Sequence, residues 1–541
     1  MNLPRLLRTV SHLKTRQIAG QIKHRLRKYA ENPDAFAMQN VPTFPGVHWS
    51  PEAPFTPPSA QESSAQEIVA GEFTFINRTE VLGIPVDWRR DSLPKLWLYN
   101  LHYFDYLWSL SFVQAKDVVE DWIDHHPLRK GAVGWEAYPT SLRLMNWCCI
   151  FFHRYCRETD ADIPFREKLW RSIFIQTEWL LKHLEAHLLG NHFLENAASL
   201  TMVGNCFAQT RWTTIGRSIL EEQLTEQILP DGGHFERSPM YQARVVHLLK
   251  TLWNVGVMDI LPRLKAAEAF LQCATHPDGG IALLNDAALG IYPVEPATAS
   301  QVCGVFEFPQ TGYFGARTVE GHYVICDAAP IGPDYLPGHA HADLFSFELS
   351  LFGQRVVVDS GTFDYERSAT RRYTRSTAAH NTVELDGKDQ AEMWAAFRVG
   401  RRAYPRGVKF EELDDGFRLS GWHDGYRWLH GKPVHRRSFE FQCQGVLRVE
   451  DVIESSATHH VVSRLHLHPA VQVSAIAGAE AELAFPGGKA LVVFTGTGNL
   501  RMEETLYYPQ FSRAELNRTL VYEWKSEGRS NCGFVVSARA S

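Results

Sequence analysis

The sequence predicts an α+β multidomain protein, an all-helical layer followed by a large antiparallel β-sandwich. Three observations predict it. At 541 residues the chain exceeds one ordinary core, and a prior of roughly 150 residues per domain allows about two to four. Between Leu96 and about His276 apolar residues recur at helical spacing, and from about Thr311 onward the period drops to two. The composition, 45% hydrophobic and 21% charged, belongs to a folded globular chain and excludes a disordered or fibrous one.

Residues 1–40 read as a basic helical arm. The first 28 residues carry eight Lys/Arg and no acidic residue, with Leu3, Leu6, Leu7, Val10 and Leu13 at roughly helical spacing. Arg5, Arg8, Lys14 and Arg16 interrupt every apolar run, so the arm is not expected to be a secretory signal. Two readings stay open: peripheral contact with an anionic membrane surface, or a helix docked on the body with a solvated basic face. Six prolines between Pro42 and Pro58 and a Ser/Gln/Glu-rich stretch then make residues 41–90 a linker or wrapping segment, since such a composition propagates neither helix nor inner strand.

Residues 91–310 are expected to be helical, with stripes at Phe165–Leu189, Ile215–Leu229, Tyr241–Val257 and Leu261–Cys273 joined by short connections, which implies antiparallel hairpins. Residues 311–541 form the expected β half. In Leu344–Leu351, Phe345, Phe347, Leu349 and Leu351 share one face and Ser346, Glu348 and Ser350 the other, and Gly353–Gln354 turns into Arg355–Val358. That hairpin register sets Asp359 nearer Glu348 than His341. Further strands are expected at Arg436–Phe441, Gly445–Val452, His460–His466 and Ala490–Phe494.

The net charge of -6 supplies no global positive field, so nucleic acid is not an expected partner and an acidic ligand must meet a local basic patch. The nine cysteines are scattered, without CxxC, which fits a reducing compartment better than a disulfide framework. A Gly-rich phosphate loop, a dinucleotide fingerprint and a GxSxG elbow are all missing, so nucleotide and acyl-hydrolase chemistry gain no motif.

Three polar clusters stand out. In Gly190–Asn196, Gly190 suits a left-handed helix cap, Asn191 an N-cap, and Asn191, His192 and Glu195 can share a helical face at a helix start that favours neutral histidine and an anion. Within Asp231–Tyr241, Ser238–Pro239 is a helix-start signal that puts Tyr241 in the first turn, where the dipole would lower its phenol pKa. In Gly338–Asp343, His339 and His341 are two apart and point the same way in extended chain; with Asp359 and His380 downstream they offer a plausible zinc set. Each has a plainer structural reading, as capped helix, core tyrosine or surface histidines.

In this order, NHFLENA, DGGHFERSPMY, GHAHADLFSFEL, VVVDSGTFDYE and STAAHNTVELDG resemble the heparinase II/III group of polysaccharide lyases, which is similar in turn to alginate lyases and dermatan-sulfate epimerase. The resemblance implies an incomplete (α/α) toroid followed by a β-sandwich. It implies that Asn191 and His192 neutralise a uronate carboxylate, that Tyr241 acts as acid and His339 as the opposing proton-transfer group, and that Glu195 supports them. It also implies a structural metal, usually zinc and sometimes calcium, on His341, Asp359 and His380. Glu236, Arg237 and Arg375, with Arg371 and Arg372, are expected to add substrate contacts across a cleft faced by Tyr241 and His339.

The chemistry so implied is β-elimination. The C5 proton of a uronate becomes removable once its carboxylate is neutralised, and protonation of the C4 oxygen then breaks the chain. The expected partner is an acidic polysaccharide. A uronate C5-epimerase using the same residues and a non-catalytic glycan-binding assembly protein are the alternatives. The basic arm suggests a cytoplasmic, membrane-peripheral setting, within bacterial exopolysaccharide or lipopolysaccharide metabolism.

Overall fold

A computed structural model describes residues 3–30, 32–60, 62–295 and 303–539. Residues 1–2, 31 and 296–302, which fall within the expected arm and helical segments, lie outside the described residues.

Most of the expected periods become elements. The segment 41–90, read as a linker or wrapping segment, also holds the helix Ala65–Val69 and the hairpin Glu72–Phe75 and Arg78–Val81. The strand expected from Leu344 begins at Phe347, because Phe345 takes a left-handed turn at φ 58°. Helices run Ile163–Lys182, Gly190–Cys206, Thr210–Gln227, Pro239–Asn254 and Leu261–Cys273, preceded by Lys95–Tyr103, Phe112–His125 and Ala137–Cys149. Their inward faces are unusually aromatic: Trp97, Trp122, Trp147, Trp170 and Trp212 are all buried in one core. A buried cation, Arg143, sits 4.2 Å above the Trp122 ring and is satisfied by Gln176 and the carbonyl of His102. The Pro-rich stretch wraps this half. Trp170 donates to the carbonyl of Pro42, the amide of His48 to Cys206, and the amide of Glu52 to Asn254.

The β half holds antiparallel sheets of eight, five and four strands. The eight-stranded sheet runs from Pro405–Leu413 through Val434–Gln442, Val446–Glu454 and Arg529–Arg539 to Gln472–Ala477, and the four-stranded one pairs His459–His466 with Arg513–Ser526 and Val383–Leu385. The five-stranded sheet ends in the hairpin Phe347–Leu351 and Gln354–Val357. As its alternation required, Phe347 turns into the sandwich, within 5.9 Å of the Phe439 ring and 6.0 Å of Phe534.

Its polar face is buried as well, which alternation alone does not show. Glu348 and Ser350 bond the two ring nitrogens of His276 at 2.8 and 2.7 Å, and Glu348 also takes the amide of Leu283. The polar side of this strand therefore receives the segment that leaves the last helix and locks the helical half onto the sheet. The amide of Asp359 donates to Glu348 at 2.7 Å, in line with the register.

Candidate active site

Leu189 and Gly190 both have positive φ, 65° and 62°, and this sharp entry turns the chain into the Gly190–Cys206 helix. Glycine suits 190, where φ is left-handed and a Cβ would lie 2.4 Å from Leu336 Cδ2 and force that side chain to move. Asn191 and His192 thus occupy the first turn, and Asn191 is not the N-cap that the spacing suggested.

His192 stacks on Tyr138 with ring centroids 4.2 Å apart, and its Nδ1 meets Glu185 at 3.1 Å. Burial opposes its charge, but the Glu185 carboxylate outweighs burial and the imidazole pKa is raised. The shift runs opposite to the one expected from a helix start, because a paired carboxylate acts more strongly here than the helix dipole. Glu195 is not free for a ligand. Both of its oxygens are held by Arg244, at 2.6 and 2.9 Å, and both side chains are buried.

The Ser238–Pro239 start forms as read: Ser238 Oγ accepts the amide of Tyr241 at 3.3 Å and donates to the carbonyl of Asp286 at 2.5 Å. The Tyr241 phenol is nevertheless pushed well above its usual range, by burial first and then by the hydroxyl of Tyr365 at 3.1 Å. Desolvation disfavours tyrosinate more than the first-turn dipole favours it. The phenol therefore keeps its proton at neutral pH, the reverse of the dipole expectation.

His339 does not face Tyr241 across an open cleft. Their rings lie 4.3 Å apart, side by side. His339 Nδ1 bonds Asp286 at 2.9 Å, while Nε2 points toward Glu236 at 3.7 Å. Glu236 is buried with Oε1 lacking a partner among the described residues, and burial raises its pKa. It stands beside His339, whose Nε2 it faces.

Arg371 and Arg375 are spent internally. Arg237, in the left-handed region at φ 60°, bonds the carbonyls of Thr311 and Phe235. Arg375 is 1% exposed and gives its guanidinium to the carbonyls of Ala340, Ala396 and Pro337. Arg371 forks onto Asp286, with Nη2 at 2.7 Å from Oδ2. Arg375 thus offers no free guanidinium to a ligand, and Arg237 is tied to the backbone through Nε and Nη1; residue type revealed the charge, and only the fold revealed these backbone partners. Arg372 is exposed.

His341, Asp343 and His380 are fully buried, and each offers an atom lying within 4.8 Å of the others. His341 Nδ1, Asp343 Oδ2 and His380 Nε2 have no hydrogen-bond partner among the described residues, so three orphaned buried polar atoms converge. Two imidazole nitrogens and a carboxylate fit a metal, and zinc better than calcium. The structure brings Asp343 into this triad in place of Asp359. Asp359 instead holds Nδ1 of His380 at 2.6 Å, which aims Nε2 at the cradle. Burial and the neighbouring charges hold His341 down at about 3 and lift Asp343 to about 6.

Sequence reasoning missed Asp286, Asp343 and Tyr365. Asp343 was in view, two residues after His341, but its spacing gave no reason to prefer it over Asp359.

A helical half and an antiparallel sandwich, with a buried histidine–carboxylate cluster where they meet, define a two-part architecture. The chain belongs to the heparinase II/III-like family: the model of the heparinase II/III N-terminus matches residues 111–273 and that of the heparinase II/III-like C-terminal region residues 301–535. A heparin-sulfate lyase of Bacteroides stercoris is 24% identical over 246 residues, 38% of this chain and 37% of that protein. The match thus spans little more than a third of that relative. FtsZ-localized protein C of Caulobacter vibrioides is 24% identical over 471 residues, 78% of each chain. Among solved structures, a heparinase III covers 96% of this chain and 92% of its own at TM-score 0.70 and 15% identity. The heparan sulfate lyase HepC of Pedobacter heparinus covers 96% and 87% at TM-score 0.59 and 16% identity. These likenesses establish the fold class, a helical region of toroid type followed by a β-sandwich.

Proposed function

We propose that the protein is a polysaccharide lyase that cuts a uronate-containing glycan by β-elimination. The observation that carries this reading is the contact between Tyr241, held protonated by burial, and His339, whose Nδ1 is taken by Asp286. A donor and an acceptor of protons thus lie side by side, and a first-turn His192 with raised pKa stands ready for a carboxylate. In the proposed step, Asn191 and His192 neutralise the uronate carboxylate. His339 Nε2 takes the C5 proton; the electron pair forms the C4–C5 double bond, the C4–O bond breaks, and Tyr241 protonates the departing oxygen. A zinc ion on His341, Asp343 and His380, with Asp359 supporting His380, would supply rigidity to the loop that carries His339.

The test is the ultraviolet absorbance of the unsaturated product with a panel of uronic glycans. Tyr241→Phe and His339→Ala should each lose about a hundredfold or more of the rate. A chain that binds such glycans without producing absorbance overturns the lyase reading. Solvent deuterium entering C5 of the uncut glycan would instead establish the epimerase.

A second reading concerns the arm, and its support is an inversion of the expected faces. Arg5 and Arg8 pair with Glu392, and Lys14 and Arg16 with Glu226 and Glu222, while Leu3, Leu7 and Val10 on one helix and Ile18, Ile22 and Leu26 on the next are exposed. Two apolar stripes thus point outward, with exposed Lys23 and Arg25 beside the second. Among the described residues no helix is long and apolar enough to cross a membrane. We infer that the stripes lie on an anionic bilayer in a cytoplasmic, membrane-peripheral setting, a reading in keeping with a relative named for localisation with FtsZ. Flotation with phosphatidylglycerol vesicles, lost in Ile22→Asp, tests it; equal flotation of that variant overturns it.

A further inference from the structure

Asp286 lies in the loop between the last helix and the sheets, is fully buried, and has every polar group of its backbone and carboxylate engaged by the candidate site. Its Oδ2 faces His339 Nδ1 at 2.9 Å and its Oδ1 faces His341 Nε2 at 2.8 Å. Arg371 forks onto both oxygens. Its amide donates to the carbonyl of His339 at 3.0 Å, and its carbonyl accepts from Ser238 Oγ, the cap of the helix that carries Tyr241. Arg371 in turn lies 5.0 Å from the centre of the Tyr365 ring, whose hydroxyl bonds Tyr241.

The two histidines present opposite nitrogens to this one carboxylate. Ionised beside the arginine fork, the carboxylate only accepts, so each facing nitrogen must carry the hydrogen. In the neutral rings that leaves His339 bare at Nε2, on the side of Glu236, and His341 bare at Nδ1, the orphaned atom of the metal cradle. We propose that Asp286 is a positioning residue that fixes His339 and His341 in opposite tautomers, making one ready for proton transfer and the other for metal. The role assigned to His339 rests on the lyase reading; the tautomers and the metal cradle do not.

Nitrogen-15 spectra of the histidine-labelled full chain test the proposal directly, with His339→Gln and His341→Gln spectra assigning the signals. The expected result is hydrogen on Nδ1 of residue 339 and on Nε2 of residue 341. Zinc added to chelator-stripped protein should shift the Nδ1 signal of residue 341 and leave its Nε2 hydrogen in place. Asp286→Asn, whose amide keeps a single acceptor oxygen, should leave one ring in mixed tautomers and weaken zinc retention about 10- to 100-fold. If the protein is a lyase, it should also lower kcat at nearly unchanged KM. The opposite tautomer at either residue in the unmutated protein overturns the proposal, and that measurement needs no variant to fold. So does Asp286→Asn protein with both tautomers and zinc affinity intact. Absent lyase activity in the unmutated protein would defeat the lyase reading alone, because the spectra and zinc binding are still read.

Discussion

The Glu185–His192 pair links ionisation to stability with a definite sign. His192 has a folded pKa above its ordinary 6.5, so its contribution is full below 6.5 and is lost as pH rises through the folded value. Glu185 is held below its ordinary 4.5; burial opposes this and the His192 charge overcomes it, so its contribution is present above 4.5 and lost as pH falls through the folded value. Both act together between 4.5 and 6.5. Glu185→Gln should therefore lower the His192 pKa and destabilise the protein most in that window. Chemical-denaturation midpoints across pH, with an NMR titration of His192, check this; a stability difference independent of pH would show that the pair is not the cause. The residues of this pair differ in legibility. His192 was marked by its place in a helix start, whereas Glu185, seven residues earlier, gains its meaning only from the tight turn at Leu189–Gly190 that folds it back.

At the scale of elements, Ser238 joins two structures with one hydroxyl. It accepts from the amide of Tyr241 as a helix cap and donates to Asp286 in the loop opposite. An N-cap alone contributes about 1 kcal/mol, but a cap that also fixes a buried loop should contribute more when removed. Ser238→Ala is expected to cost about 2 kcal/mol, and hydrogen exchange should quicken in both the Pro239–Asn254 helix and the loop around Asp286. Quickening confined to the helix would mean that the second bond carries little. The helix start was legible as Ser-Pro in the sequence. The loop partner was not, since residues 276–286 follow no period that assigns faces, and Asp286 reads as one acidic residue among many.

Across the whole molecule, the arm is a strap. Its first helix pairs with Glu392 and Trp394 of the β half; Lys14 and Arg16 reach Glu226 and Glu222 of the helical half, and Gln17 bonds the carbonyl of Tyr335. Tyr335 also bonds Glu226, and Leu336 packs over Gly190, so the strap holds the loop that leads to His339. Exposed ion pairs contribute little singly, about 0–1 kcal/mol, and more when one carboxylate takes two arginines. Glu392→Gln should lower the melting temperature by a few degrees and speed exchange at 333–340, with the effect fading at high salt. A salt-independent loss would assign the stability to the bond that Glu392 accepts from the amide of Arg401.

The sequence by itself determined the order of helices and strands, because burial on one face imposes a period that any window of chain displays. It also determined the family, through five motifs spread over both halves. Only the tertiary structure decided which polar groups meet. The sequence-marked arginines 237 and 375 turn to backbone carbonyls, Glu195 to Arg244, and Asp343 rather than Asp359 to the metal cradle. Periodicity reports which face is buried, while the partner of a buried charge is set by the loops and sheets that close over it, and those are joined across distances of chain that no local pattern spans.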